Sequence, residues 1–307
     1  MEYSEKVMDL TEKINVFKKR RNAVILAHNY QMPEVQDIAD YVGDSLGLSL
    51  QASETSADVI VFCGVYFMAE TAKILSQDKI VLIPDRNAGC PMADMITAED
   101  LRRLKAEHPG AKVLCYVNTT AEVKAECDVC CTSGNAERVV RDAFNNDDEI
   151  IFAPDQYLAH YISTRVGREF IKWEGFCPTH MKILPEDIER NRGLHPGVEV
   201  IVHPECRAVV TDIADKVLST EGMIRYVREA PAKEFIIGTE TGILHRLTKE
   251  NPGKTFYPLS EHAVCPNMKK TTLEKVLWSL EDMKDEVIVP PEIIEKAKKS
   301  LEIMLKH

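Results

Sequence analysis

The chain lacks long apolar runs and has no surplus of positive charge. Its 307 residues include 49 Asp and Glu against 38 Lys and Arg, which gives a net charge of −11. No stretch approaches the roughly 20 apolar residues that span a bilayer, and no basic stripe offsets the acidic total. These absences exclude membrane-spanning proteins and general nucleic-acid binders. Residues 1–21 also lack an apolar run of signal-peptide length, which predicts a cytoplasmic protein.

Two nucleotide-binding signatures are also missing. No G-x-G-x-x-G follows an apolar strand, and no G-x-x-x-x-G-K-[ST] occurs. The missing motifs disfavour a nicotinamide-dependent dehydrogenase. The chain does contain nine cysteines, a high and odd number. In a reducing compartment, we expect several of them to be metal ligands or buried small residues rather than disulfide partners.

A threefold internal repeat is the strongest pattern in the sequence. Cys-Pro occurs at Cys90, Cys177 and Cys265, so the cysteines stand 87 and 88 residues apart. The same period relates two further sets, the polar residues that end an apolar run and the hydroxyls that follow them: His28, Tyr116 and His203, then Ser45, Ser133 and Thr220. Each repeat has two more short apolar runs before its Cys-Pro, and such alternation predicts strands and helices in βαβ units.

The predicted fold class is therefore α/β, with three pseudo-symmetric parallel-sheet repeats around a central metal cluster. The short β-branched runs are typical of strands that are covered on both faces. We expect residues 1–97 to form the first repeat with an N-terminal helix, 98–185 the second and 186–270 the third. Residues 271–307 should form C-terminal helices that pack on the repeats.

The three Cys-Pro cysteines are candidate metal ligands, because equivalent points of three repeats can meet on one axis. Three thiolates suit a [4Fe–4S] cluster in which one iron has no protein ligand and can act as a Lewis acid. Zinc held by three cysteines and water is the alternative metal site, and a site without metal also remains open. We interpret Cys127, Cys130 and Cys131 as buried small residues, with helical spacing between the first and the last, and redox sensitivity as the alternative.

The other repeated residues predict a site for anions and for proton transfer. Ser45, Ser133 and Thr220 each precede a helical pattern, so they are either simple helix caps or part of a shared anion pocket at helix N-termini. A second set of pairs shares one spacing: His28 and Tyr30, Tyr116 and Asn118, His203 and Glu205. Glu205 is the candidate general base or acid, and beside a bound anion we expect its pKa to rise.

With these residues assembled, the sequence resembles the quinolinate synthases of NAD biosynthesis. The stretches that carry the resemblance are AHNYQMPEVQDIADYVGDSLGLS, AGCPMAD, YVNTTAEVKAECDVCCTS, GFCPTH, VHPEC and EHAVCPNMKKTTLEKV. It implies a [4Fe–4S] cluster on Cys90, Cys177 and Cys265 with one open iron. It also implies that iminoaspartate condenses with dihydroxyacetone phosphate to give quinolinate, phosphate and water.

The resemblance also assigns roles within the site. Glu205, His203, Tyr30 and Tyr116 would be catalytic. The substrate-binding residues would be His28, Ser45, Tyr116, Asn118, Ser133, His203, Glu205, Ser219 and Thr220. An L-aspartate oxidase or dehydrogenase that forms iminoaspartate would be a functional partner. Two other classes stay open: a dehydratase that uses an open cluster on a hydroxy acid, and a non-catalytic redox sensor or structural metal protein.

Overall fold

Three parallel β-sheets, one per repeat, form the framework of the computed structural model, which describes the backbone of residues 2–307 and the side chains of residues 4–307. Each sheet has four strands, and the three sheets have the same order. Numbered along the chain, these orders are β2-β1-β3-β4, β6-β5-β7-β8 and β10-β9-β11-β12. All strand pairs within them are parallel. The α/β class and the three repeated parallel-sheet units are confirmed.

The strands are short, and most are buried on both faces. They are β1 (Ala23–His28), β2 (Tyr41–Gly43), β3 (Val59–Cys63), β4 (Ile80–Leu82), β5 (Lys112–Tyr116), β6 (Val129–Cys131), β7 (Ile150–Ala153), β8 (Ile171–Lys172), β9 (Glu199–Val202), β10 (Lys216–Val217), β11 (Glu234–Gly238) and β12 (Thr255–Pro258). In β3, for example, all five residues of VIVFC are buried. Such runs form strands because both faces of each sheet are covered by helices.

One strand in each sheet was not predicted. The edge strands β2, β6 and β10 have only two or three residues, too few for a periodic pattern to reveal them. The helical spacing assigned to Cys127 and Cys131 is wrong, because it overlooked the short edge strand β6. Cys130 and Cys131 lie in β6, so they alternate across a strand and do not share a helical face with Cys127. Both are buried free thiols, as expected for small core residues.

The helices connect and cover the strands. They are α1 (Glu2–Arg20), α2 (Pro33–Ile38), α3 (Ser45–Glu54), α4 (Tyr66–Leu75), α5 (Ala98–Glu107), α6 (Ala121–Lys124), α7 (Ala136–Ala143), α8 (Gln156–Val166), α9 (Pro185–Leu194), α10 (Ala208–Thr211), α11 (Thr220–Glu229), α12 (Ile243–Glu250), α13 (Leu273–Asp282) and α14 (Pro291–Lys306). A 3₁₀ turn follows each Cys-Pro, at Ala93–Met95, His180–Lys182 and Met268–Lys270. No helix of the described residues is long and apolar enough to cross a membrane.

The terminal helices pack on the repeats. Helices α1 and α13 lie together against one face of the first sheet, in a core that includes Leu10, Ile14 and Val276. Helix α14 packs against β6, α6 and α4, and so joins the first and second repeats. The predicted boundaries near residues 97, 185 and 270 stay predictions. Helices α5, α9 and α13 begin at or shortly after those points.

The carboxyl ends of the central strands face one common cavity. His28 and Tyr116 are the last residues of β1 and β5, and His203 directly follows β9. All three side chains line the same cavity, although they come from three different sheets. Because ligands bind beyond the carboxyl ends of parallel strands, the repeat places its chemically useful residues at one point.

Candidate active site

Three cysteines from three repeats line this central cavity. Cys90, Cys177 and Cys265 are all free thiols, and each stands three residues before a 3₁₀ turn. Burial raises the pKa of Cys90 to about 12 and raises that of Cys177 as well. These two thiols would therefore stay protonated at neutral pH unless a bound metal displaced their protons.

The spacing of these sulfurs tests which metal group they suit. A tetrahedral Zn²⁺ binds sulfur at about 2.3 Å, which brings ligand atoms to within roughly 4 Å of one another. Among the described residues, the one group of three candidate ligands whose atoms all lie within 4.8 Å of each other is Cys177, His180 and Glu205. The three cysteine sulfurs do not form such a group. The site is compatible with metal binding.

The cavity also collects the polar residues of the repeat. About 700 Å³ of empty space lies within the cavity and its open mouth together. Besides the cysteines, the predicted residues that line it are His28, Tyr30, Ser45, Tyr116, Asn118, Ser133, His203, Glu205 and Thr220. Ser219 is not among the lining residues. Its side chain accepts a hydrogen bond from the Gly222 N–H and caps α11.

Helix starts provide part of the wall. Ser45 and Thr220 are the first residues of α3 and α11, whereas Asp44 and Ser219 are the residues that cap these helices. Ser133 lies three residues before α7. The interpretation of Ser45 and Thr220 as caps is therefore wrong by one residue, which leaves their hydroxyls free for the cavity. No Lys or Arg lines the cavity within the described part of the chain, so anionic groups would be bound by hydroxyls, imidazoles and helix N-termini.

Glu205 lies at the centre of a buried hydrogen-bond network. The Tyr116 hydroxyl donates to Glu205 Oε1 at 2.5 Å. His180 Nδ1 lies 2.7 Å from the other carboxylate oxygen, Oε2. The His180 ring also stacks on His203, with centroids 4.8 Å apart. Both oxygens of this buried carboxylate therefore have a partner, which a buried charge requires.

The pKa of Glu205 is lowered. The predicted rise applies beside a bound anion and stays a prediction. Burial by itself would raise this pKa, but the nearby His180 and His203 and the hydrogen bonds from His180 and Tyr116 outweigh it. Hydrogen bonds to a carboxylate favour its ionised form. Glu205 is therefore a carboxylate at neutral pH and begins as a proton acceptor.

A chain of short contacts continues from Glu205 to Tyr30. His180 Nε2 lies 2.8 Å from Thr239 Oγ1, and the same oxygen lies 2.6 Å from the Tyr30 hydroxyl. Burial, and next the Glu205 charge, raise the pKa of Tyr30, while the bond to Thr239 lowers it only in part. Two buried tyrosines from different repeats, Tyr30 and Tyr116, are thus joined through one carboxylate, one imidazole and one hydroxyl.

The two strand-end histidines are neutral hydrogen-bond donors. Burial lowers the pKa of His28 and of His203 to about 3 in each case. His28 Nδ1 accepts the Tyr30 backbone N–H at 3.1 Å, and His203 Nδ1 accepts that of Glu205 at 3.3 Å. Since a neutral imidazole has one N–H, these bonds assign the proton to Nε2 of each ring. In His203 that atom lies 3.2 Å from Ser133 Oγ.

The comparison with known proteins now decides the family. The family model described as quinolinate synthetase A protein matches residues 12–306. The chain belongs to this family. Curated proteins named quinolinate synthase are similar over nearly their whole length. That of Dehalococcoides mccartyi strain CBDB1 is 55% identical over 297 residues, 97% of this chain and 98% of the relative. Those of Methanoregula boonei (55%, 96% of this chain and 97% of the relative) and Methanosarcina barkeri (54%, 97% of each) are similar too.

Two residues of the network in this quinolinate synthetase A chain were not predicted. His180 stands three residues after Cys177, where the other repeats have Ala93 and Met268. Thr239 directly follows β11, where the other repeats have Gly64 and Pro154. Threefold periodicity indicates only residues that the repeats share, so it does not indicate a residue such as His180 or Thr239 that occurs in one repeat alone. The signal that remained was a histidine beside a Cys-Pro, in GFCPTH.

Proposed function

We propose that this chain is a quinolinate synthase, which condenses iminoaspartate with dihydroxyacetone phosphate to give quinolinate, phosphate and water in the de novo biosynthesis of NAD. The observation that carries the proposal is the joint lining of one cavity by three free cysteines and by the Glu205 network. Membership of the quinolinate synthetase A family, over residues 12–306, supports the same activity.

The cofactor we propose is a [4Fe–4S] cluster held by Cys90, Cys177 and Cys265. Each repeat contributes one thiol to the cavity and no other cysteine lines it within the described residues, so a four-iron cluster would keep one iron without a protein ligand. That iron would supply a Lewis acid for the loss of a hydroxyl group.

The substrates would be bound by neutral donors. The Nε2–H groups of His28 and His203 and the hydroxyls of Ser45, Ser133 and Thr220 surround the cavity. The first turns of α3 and α11 add their dipoles and free N–H groups. We assign the carboxylates of iminoaspartate and the phosphate of the triose to these donors, because the chain there offers no cationic side chain.

Proton transfer would pass through the network between Tyr30 and Glu205. His180 Nδ1 lies 2.7 Å from the Glu205 carboxylate, and Nε2 can accept a hydrogen bond from the Thr239 hydroxyl. A proton leaving Tyr30 can therefore move through Thr239 to His180, whose positive charge Glu205 then stabilises. Tyr30 begins protonated, because its pKa is raised. Once its proton has passed to His180, the phenolate can take a proton from the substrate. Tyr30 can later act as an acid, because the proton on His180 can return to it by the same route.

The proposed reaction has several steps that require proton transfer. The enamine carbon of iminoaspartate attacks C1 of the triose phosphate, and phosphate leaves. Isomerisation and closure of a Schiff base follow, and each step needs a proton moved at carbon, oxygen or nitrogen. We assign these proton transfers to Glu205, His203 and Tyr30, which all line the cavity.

The test is formation of quinolinate by protein purified without oxygen. We expect turnover only when iminoaspartate and dihydroxyacetone phosphate are both present, with one phosphate released for each quinolinate. Dehydration of a simple hydroxy acid without the triose phosphate would instead support the open-cluster dehydratase.

We also propose a cytoplasmic location and supply of the unstable iminoaspartate by an L-aspartate oxidase or dehydrogenase. Coupled turnover with such an enzyme tests that supply.

A further inference from the structure

The loop that contains each cysteine forms an equivalent backbone hydrogen bond in all three repeats. A backbone N–H just beyond β3, β7 or β11 donates to the carbonyl of the residue two positions before the cysteine. The three bonds are Tyr66 to Ala88 at 2.8 Å, Gln156 to Gly175 at 2.9 Å and Thr241 to Ala263 at 3.0 Å. These bonds fix the loop, but they do not touch the cysteine itself.

In the third repeat, a buried carboxylate adds a direct contact. Glu240 stands two residues beyond β11 and has no exposed surface. Its Oε1 accepts the backbone N–H of Cys265 at 3.0 Å, and its Oε2 accepts that of Gly242 at 2.7 Å. The side chain thus holds the cysteine at its own amide.

Lys269 links this carboxylate to the first repeat. Its ammonium lies 3.0 Å from Glu240 Oε1 and 3.2 Å from Oε2. The same ammonium donates to the backbone carbonyl of Tyr30 at 2.5 Å. Glu240 and Lys269 therefore connect the Cys265 loop to the residue that begins the proton chain.

The corresponding residues of the other repeats differ. The position two residues beyond the strand is occupied by Asp155 in the second repeat and by Val65 in the first. Asp155 is also fully buried, but its Oδ1 accepts the backbone N–H groups of Tyr157 and Leu158 at the start of α8. The Val65 side chain can accept no hydrogen bond, so no side chain at this position holds the Cys90 N–H. A buried charge is costly to keep, and its presence beside the cysteine amide calls for a role there.

We infer that Glu240, with Lys269 as its counter-ion, is a positioning residue that holds Cys265 for the cluster and sets it relative to Tyr30. This inference rests on the proposed function. Hydrogen-bonded groups around metal ligands fix ligand orientation, and their loss typically lowers metal affinity about 10–100-fold. Glu240 also adds a negative charge near the cluster, which favours its oxidised state.

The test compares variants of the full chain, reconstituted and handled without oxygen. Glu240→Ala removes every contact, whereas Glu240→Gln keeps an oxygen for the Cys265 N–H and loses the charge that pairs with Lys269. The matched control is Glu234→Gln, at the exposed start of the same strand. Two properties are measured: the rate of iron release to a ferrous chelator, and the reduction potential of the cluster by EPR-monitored titration.

We expect Glu240→Ala to release iron at least about tenfold faster than wild type, with Glu240→Gln between them and Glu234→Gln equal to wild type. Glu240→Gln should also raise the reduction potential, which a purely structural role would not do. If Glu240→Ala fails to fold, the Gln variant still decides the question. Equal release rates and equal potentials in wild type and Glu240→Gln would overturn the inference alone, whereas anaerobic wild type without iron would overturn the proposed cluster itself.

Discussion

Replacing Thr239 by valine tests whether protons pass between Tyr30 and His180 through the Thr239 hydroxyl. The hydroxyl of Thr239 is the one atom that joins Tyr30 to His180, at 2.6 Å and 2.8 Å respectively. Valine keeps the side-chain volume but leaves both buried partners without a bond. Each unsatisfied group costs about 1–3 kcal/mol, so the variant should be measurably less stable. Loss of general acid–base transfer typically lowers the rate about 10²–10⁴-fold, and we expect kcat to fall within that range while KM changes little.

The assay is quinolinate formation by anaerobic protein with matched iron content. Thr239→Ser restores a hydroxyl and should recover most of kcat. Thr271→Val is the matched control, because Thr271 is fully buried and its Oγ1 has no hydrogen-bond partner among the described residues. That control should keep full activity and equal or higher stability. A Thr239→Val enzyme with full iron content and unchanged kcat would refute the proposed proton chain.

Three further predictions follow from the same structure. Glu205→Gln should retain iron but lose turnover about 10²–10⁴-fold, because the proton acceptor is gone; unchanged turnover with full iron content would remove Glu205 from the account. Ser133→Ala should raise KM about tenfold through loss of one hydrogen-bonding group beside His203, and a steady-state assay in which only kcat falls would contradict this binding role. Burial raises the pKa of Glu70 to about 7, although Lys124 lowers it in part. The folded state therefore holds this proton more tightly than the unfolded state. The free energy of unfolding of the wild type should accordingly fall by roughly 3 kcal/mol as the pH rises from about 4 to above 7. Denaturant unfolding of Glu70→Gln at pH 5 and pH 8 should show a smaller pH difference than wild type, and an equal difference would mean that Glu70 does not titrate there.

Much of the framework could be predicted because the fold is periodic. Two of the predicted apolar runs, AVILAH and KVLCY, are the strands β1 and β5 with the predicted bounds. The repeat period also predicted that Cys90, Cys177 and Cys265 would lie together, and all three line one cavity. The edge strands escaped prediction because two or three residues carry no alternation that could be separated from a loop.

The site could be predicted only where it follows the repeat. His28, Tyr116 and His203 share a position in three similar strands, so their meeting point follows from symmetry. His180, Thr239 and Glu240 each occur in a single repeat, and only the folded chain brings them to the common centre. The direction of the Glu205 pKa depended on these same neighbours. It could not be obtained from the local sequence VHPEC, since His180 lies 25 residues away along the chain.

The measurement that tests the central claim most directly is the iron and acid-labile sulfide content of protein purified without oxygen. The comparison uses wild type, Cys177→Ala, and Cys63→Ala as a control thiol that is buried within β3. We predict about four iron and four sulfide per chain in wild type and in Cys63→Ala, and loss of both in Cys177→Ala. Zinc in place of iron, no metal in the wild type, or full iron content in Cys177→Ala would contradict a cluster held by the three repeated cysteines.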